Sequence, residues 1–494
     1  MRDYKKLHDD ACVIDWHTHL SLKTAIFHRD LCKDYKRRLF SRAFWPLSSR
    51  TDFPKMLEGG VDVCLSVCYV PEMEWADDLP VLKIFKWLKR PIWKRLFGAE
   101  TYFKASMSAF MDVEKQTIKH NATNPDRKII VCKSRAILES YLEGGFLCIV
   151  HAVEGGHGLQ GLLLGKRYDS TLEITDKMED EILVNLQSFC NQGCAYLTLA
   201  HFYPNYLTSP VFPYPEYASK FAKWRKMLSS WNTCNGLTDL GEKVVRECFR
   251  LGMIVDINHC TPLARSRVYE IADEMGVRCR VIASHAGVYS EHADQYNLED
   301  WEIEWIAGNG GVVAVILMNY WLAPYHTELG LNEISSTIRH IVKVGGIDAV
   351  SIGTDFDGFT DPPDEIEDMR SLPTLTMRLA SEMKGVGEQM YSDDEIKKIL
   401  GGNALRVLLE GWDNGGIEVM SKKRERRDDK DDKKDDRRNF RLDKIAAVTE
   451  KAKAVAVKRK WLVFLIAIAL AAYLIFSGGG GGGVLNGIKS MIGF

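Results

Sequence analysis

Residues Cys12–His19 read CVIDWHTH, a short apolar run, Cys12–Asp15, followed by two histidines one residue apart. A run this brief, β-branched and ending in polar residues, has the pattern of a strand buried on both faces. Working outward, seven more such runs follow: Val61–Tyr69, Phe146–Val153, Ala195–Leu199, Met253–Ile257, Arg280–Ala283, Gly311–Met318 and Ala349–Gly353. Longer amphipathic stretches lie between them, among them Leu240–Leu251 (LGEKVVRECFRL) and Ile334–Val344 (ISSTIRHIVKV). Near-continuous apolar strands alternating with helices predict a parallel sheet covered by helices. Eight repeats predict an α/β protein built as a (β/α)8 TIM barrel.

The polar residues after these runs carry the chemistry. His17 and His19 follow the first run, Glu154 the third, His201 the fourth, His259 the fifth, His285 the sixth and Asp355 the eighth. Parallel barrel strands all end on one face, where active sites are built, so these groups are expected at one mouth. Alternate residues of a strand point the same way, which lets His17 and His19 reach one ion. Neutral imidazoles with a carboxylate suit zinc or a similar first-row cation. His17, His19, His259, His285 and Glu154 are more ligands than one tetrahedral site needs. Two ions about 3.5–4 Å apart, bridged by Glu154, would use them all. Asp355, outside that set, is placed to act as the base for the attacking water. His151 and His157 read as hydrogen-bonded structural residues.

Of 494 residues, 65 are basic and 67 acidic, 46% are hydrophobic and 27% charged. The bulk is therefore globular, and the balanced charge argues against a nucleic-acid binder, which needs a basic excess. Twelve scattered cysteines, whose close pairs Cys64/Cys68 and Cys190/Cys194 begin no zinc-finger spacing, predict free thiols in a reducing compartment. The start Met1–Asp10 (MRDYKKLHDD) has no apolar signal-peptide core.

Composition changes sharply towards the end. Lys422–Arg438 holds only charged residues, which cannot offset backbone ordering by apolar burial. Beyond the helix-prone Ala446–Lys460, Trp461–Phe476 (WLVFLIAIALAAYLIF) is apolar throughout. A span needs about 20 residues, which continuation into Gly478–Gly483 would supply. Lys458, Arg459 and Lys460 abut the run, so the positive-inside rule leaves residues 1–460 on the cytoplasmic face. The expected organisation is a metal-dependent hydrolase barrel (1–415), a charged linker (416–445), and a helix with a single-pass tail anchor (446–494, span about 461–480). Val81–Phe97 (VLKIFKWLKRPIWKRLF) mixes basic and aromatic residues; an interfacial helix and a surface helix broken at Pro91 both fit it.

The segments Asp15–His19 (DWHTH), Val153–His157 (VEGGH), Tyr196–His201 (YLTLAH), Asp256–His259 (DINH), Ile282–His285 (IASH), Ser351–Gly358 (SIGTDFDG) and Tyr391–Leu405 (YSDDEIKKILGGNAL) resemble, in order, the membrane (renal) dipeptidase family. The resemblance covers roughly residues 9–412, and the family belongs to the zinc-dependent, amidohydrolase-like barrels. It implies two zinc ions, one held by His17 and His19 and the other by His259 and His285, with Glu154 bridging. It further implies that His201 touches substrate and stabilises the tetrahedral oxyanion, and that Asp355 moves the proton from the attacking water to the leaving amine. The implied reaction is hydrolysis of a dipeptide's peptide bond, and the resemblance also suggests a homodimer.

Two departures from the family pattern stand out. Its first motif usually ends in Asp, whereas this chain has His19, a sound zinc ligand that makes the site one charge more positive. Eleven residues after His285, where the family commonly has an Arg that grips the substrate carboxylate, stands Tyr296. Tyrosine, read as the substrate-binding residue there, offers one hydrogen bond against a bidentate guanidinium. Affinity for a free carboxylate should fall unless His292 or another cation substitutes. Two alternatives stay open: a related amidohydrolase acting on N-acyl amino acids or lactam-like amides, and a catalytically silent, membrane-anchored scaffold.

Overall fold

The computed structural model describes residues 2–35, 49–78, 90–212, 236–323, 330–385 without 359, 361 and 364, and 388–413. The linker expected at 416–445 and the anchor expected at 446–494 lie outside the described residues. Among the described residues no helix is long and apolar enough to cross a membrane. Of the basic, aromatic segment 81–97, the helix Arg90–Phe97 is described. Phe97 is buried and Arg95 donates to the Ile26 carbonyl at 3.2 Å, so this part packs on the barrel.

Among the described residues nine strands form one sheet: β1 (Ile14–Thr18), β2 (Val63–Tyr69), β3 (Ile129–Val131), β4 (Leu147–Glu154), β5 (Cys194–Thr198), β6 (Ile254–Asp256), β7 (Val281–Ala286), β8 (Val313–Ile316) and β9 (Val350–Gly353). Eight run in the order β1-β2-β4-β5-β6-β7-β8-β9, all neighbours parallel, and they coincide with the eight runs read from the sequence. Past the strand ends, Thr18 bridges Phe356, Asp355 N donates to His17 O (2.8 Å), and His19 N donates to Phe356 O (2.9 Å). These bonds bring the last strand back to the first and make a nearly closed barrel. The additional β3 pairs with the start of β4, Ile129 opposite Leu147. Three residues are too few for a readable period.

Side chains of the strands divide between two cores. Ile14, Trp16, Leu65, Val150, Tyr196, Ile254 and Ala314 pack together inside the barrel, and Val407, Leu408 and Trp412 of the last helical segment join them. The other faces pack on the surrounding helices. Asp239–Arg250, for example, is capped by Thr238, whose hydroxyl accepts from Gly241 N, and buries Leu240, Val244, Cys248 and Phe249 at helical spacing. Truncating a buried phenylalanine such as Phe249 to Ala should cost about 3–5 kcal/mol. The chain past the last helix returns to the start of β6, where Asp413 N donates to Gly252 O (2.9 Å). Gly252 has φ +70°, and a Cβ there would meet the Asp413 carbonyl, so only glycine fits. The barrel is thereby plugged below, and its open end is the one that carries His17, Glu154 and Asp355. The eleven described cysteines are free thiols.

Candidate metal centre

Two pairs of imidazoles face each other across one carboxylate. His17 Nε2 and His19 Nε2 are 3.3 Å apart, and His259 Nε2 and His285 Nε2 are 3.1 Å apart. Between the pairs, Glu154 Oε1 lies 3.3 Å from His17, 3.3 Å from His259 and 3.5 Å from His285, while Oε2 lies 3.5 Å from His19. All five side chains are buried. Neutral imidazole nitrogens this close present lone pairs to each other unless a proton or a cation stands between them. Glu154 Oε2 has no hydrogen-bond partner despite its burial. Although burial opposes its charge, the surrounding histidines, His201 and His17 foremost, hold the Glu154 carboxyl well below the usual range. Imidazoles converging on an ionised, under-satisfied carboxylate fit divalent cations of the zinc type.

β1 does not deliver its two histidines by simple alternation. Its register against β2 shifts between Asp15 and Thr18, and His19 already stands at the N-terminus of the helix Leu20–Phe27. The irregularity is braced by Asp15, which accepts from Thr18 Oγ1, Thr354 Oγ1 (2.7 Å) and Thr354 N (2.8 Å).

Outer hydrogen bonds select the tautomers. Tyr196 OH donates to Trp16 O (2.9 Å) and lies 3.0 Å from His17 Nδ1, so it accepts the Nδ1 proton and leaves Nε2 as the ligand nitrogen. Ser284 Oγ donates to Asp256 Oδ2 (2.7 Å) and lies 2.7 Å from His285 Nδ1, with the same consequence for that ring. Asp256 also accepts from Thr198 Oγ1 (2.6 Å). Sequence reasoning quoted Asp256 within DINH but gave it no part. The available signal was a carboxylate at the end of a strand whose next residues supply His259.

Asp355 lies at the rim with φ +53°, its Oδ1 3.1 Å from His19 Nε2. That distance puts it within ligand range of the first pair: His17, His19 and Asp355 form one group of converging donors, and Glu154, His259 and His285 another. A Cβ at Gly358 would meet Asp355 Oδ1, which explains the glycine that closes GTDFDG. Two residues on from Asp355, Asp357 is buried against Lys23 Nζ (2.7 Å) and accepts from Thr51 Oγ1 (2.7 Å), anchoring the loop from below.

His201 and Tyr296 complete the predicted set. His201 Nε2 lies 3.4 Å from Glu154 Oε2, on the side of the carboxylate that faces His19. Tyr296 is buried and stacked on Trp321 (centroids 4.1 Å, planes 12° apart). Its hydroxyl, expected to face substrate, instead donates to the His285 carbonyl (2.8 Å) and accepts from Asn258 Nδ2 (3.3 Å). Both hydroxyl functions are thus engaged in holding a ligand strand. His151 stacks on Phe110 and His157 bonds the Val70 carbonyl at 2.8 Å, away from the centre. One residue escaped sequence reasoning altogether: Glu72, after β2, is buried with Oε1 3.4 Å from His201 Nδ1.

Residues 170–413 match the family described as membrane dipeptidase, peptidase family M19. Over those residues, just under half of its length, the chain is similar to the membrane dipeptidase family. An uncharacterized dipeptidase of Schizosaccharomyces pombe is 26% identical over 368 residues, 73% of this chain and 72% of that protein. Dipeptidase 3 of Macaca fascicularis is 30% identical over 263 residues, 53% of this chain; the match spans less than half, 44%, of that relative's length. Among solved structures, a metallopeptidase of Rhodobacter sphaeroides liganded with a phosphinate mimic of L-Ala-D-Ala superposes with a TM-score of 0.59 at 19% identity, over 82% of this chain and all of that one. Dipeptidase AC, a metallopeptidase of family M19, gives 0.58 at 19% identity, over 81% and 99%. These likenesses show the fold. Together with the converging histidines and carboxylates described above, this similarity indicates a metal-dependent peptide hydrolase.

Proposed function

We propose that the chain is a binuclear zinc dipeptidase. The observation that carries this reading is the pair of facing imidazole couples with Glu154 between them. His17 and His19 would hold one ion, His259 and His285 the other, and Glu154 would bridge. When bound, two divalent cations polarise the scissile carbonyl and bring the pKa of the attacking water to about 7. The rest belongs to the protein. Asp355, at the rim beside His19, takes a proton from the water as its oxygen joins the carbonyl carbon. It returns that proton to the amine nitrogen as the C–N bond breaks. His201, whose Nε2 faces Glu154, donates to the tetrahedral oxyanion. Ser284, Tyr196 and Asp256 keep the ligand nitrogens turned inward.

A second reading is favoured by Tyr296. With its hydroxyl spent on His285 and Asn258, it leaves the substrate carboxylate without the grip the family's Arg would supply, which suits an N-acyl amino acid or lactam-like amide. The sequence also supports a tether: a span at about 461–480 would hold the barrel on a cytoplasmic membrane face.

The deciding experiment runs L-L and L-D dipeptides beside N-acyl amino acids, with and without chelator, and measures metal content. Chelator-sensitive dipeptide turnover with about two zinc equivalents is expected. Turnover of N-acyl substrates alone would move the assignment to the second reading, and a metal-free, inactive protein would leave a scaffold. Truncation after residue 415 should release an active protein from the membrane fraction; persistent association would point to residues 81–97.

A further inference from the structure

Glu72 follows β2 in the turn Val70–Glu72, and no part of the reading above uses it. Its side chain is buried. Oε2 accepts from Tyr69 OH, and Oε1 accepts from Phe202 N at 3.1 Å. The same Oε1 lies 3.4 Å from His201 Nδ1. Burial alone would raise the carboxyl's pKa, but His157 and His201 beside it bring it down to about 2, so it is an anion in the working protein.

His201 is correspondingly fixed on three sides. Its ring lies between Tyr69 (centroids 4.0 Å) and Phe202 (3.9 Å), and both residues are themselves bonded to Glu72, one through its hydroxyl and the other through its backbone. The ring can then rotate only by giving up the contact of Nδ1 with the carboxylate. His157 is the other imidazole nearby, with Nδ1 4.0 Å from Oε1. Its Nε2 lies 2.8 Å from the Val70 carbonyl, which ties that ring elsewhere.

We infer that Glu72 is a positioning residue for His201: by bonding Tyr69 OH and Phe202 N it fixes the two rings that hold the imidazole, so that Nε2 faces the substrate beside Glu154. The inference rests on the dipeptidase reading for its kinetic consequence and on the chain's own geometry for the rest. A ring turned away from the centre would still let substrate bind, because the binding groups stay in place, but the donor would be missing when the oxyanion forms. The loss therefore belongs to kcat rather than to KM.

The test combines kinetics with a readout independent of turnover. E72Q should lower kcat about 10- to 100-fold with little change in KM, metal content or Tm. H201N should lower kcat as well, and E72Q/H201N should be no slower than H201N, because Glu72 acts through the ring. In protein labelled with 15N-histidine, the signals that disappear in H201N should form one sharp set in the wild type and be broadened or doubled in E72Q, where the ring samples more than one orientation. An unchanged kcat in E72Q, losses that multiply in the double variant, or His201 signals unaltered by E72Q would overturn the inference. A wild type that cleaves no dipeptide would instead overturn the proposed function, and the labelled-histidine measurement would still decide the role of Glu72.

Discussion

Asp355 Oδ1 stands 3.1 Å from His19 Nε2 on a backbone held at φ +53°. A non-glycine residue in that region costs on the order of 1–3 kcal/mol and persists only where its surroundings over-determine it. Here they do: Asp355 N bonds the His17 carbonyl, Asp15 holds Thr354, Asp357 is buried against Lys23, and Gly358 leaves room for the carboxylate. The loop that carries the proposed base is thus tied at two points to the strand that carries His17, and through Asp357 to the helix that follows it.

Asp355→Asn should keep the metal and lose catalysis. The amide is nearly isosteric and the three ties involve the backbone or other side chains, so the loop should hold. Proton transfer is worth about 10²–10⁴-fold in rate, and kcat should fall by that much. Metal analysis alongside kinetics checks both halves. Near-normal turnover would remove Asp355 as the base, and loss of one metal equivalent would make it a ligand.

Ser284→Ala tests the hydroxyl that links Asp256 to His285. Without it His285 Nδ1 and Asp256 Oδ2 both lose a partner, and the ring is free to present the wrong nitrogen. Metal affinity should drop about 10- to 100-fold, read by competition with a chelator, while the barrel remains folded. Unchanged affinity would mean that packing alone orients His285.

How much of this was legible before folding follows from where each signal sits. The eight barrel strands were, because each is an apolar run buried on both faces and bounded by polar residues. The histidines, Glu154 and Asp355 were, because strand ends are positions that sequence can mark. The register shift in β1 was not: Asp15 looks like the end of a strand until Thr354, far along the chain, is seen to bond it. Asp256 lay in a quoted motif, but its use depends on Ser284, which no spacing links to it. Glu72 gave no signal at all, since one acid in the turn VPEMEW is ordinary and only the fold sets it beside His201.

Tyr296→Phe separates a substrate contact from a scaffold contact. The hydroxyl bonds the His285 carbonyl, which keeps Asn258 Nδ2 as a second donor at 2.8 Å. Stability should fall by about 0.5–1.5 kcal/mol, the net worth of one hydrogen bond, with KM for dipeptides almost unchanged. A large rise in KM without loss of stability would return Tyr296 to the substrate's side.

Glu74 gives the fold a pH dependence whose sign can be fixed. The residue lies in the helix Met73–Asp78, and burial, reinforced by the Glu72 anion and only partly offset by Arg167 and the Tyr168 N–H, pushes its carboxyl up to about 7. A folded-state value above the unfolded one means the fold favours the neutral acid. Below the unfolded value of about 4.3 the group is protonated in both states and costs nothing. Stability is lost as the pH rises from about 4.3 to about 7, by at most about 3 kcal/mol, because the unfolded chain ionises there while the half-buried carboxyl stays neutral in the fold. Glu74→Gln keeps an acceptor for Tyr168 N, 3.2 Å away, and removes the charge. Thermal unfolding of the two proteins should therefore coincide near pH 4 and diverge by pH 8, with the Gln variant the more stable. Equal Tm values at both pH values would show that Glu74 ionises freely in the folded protein.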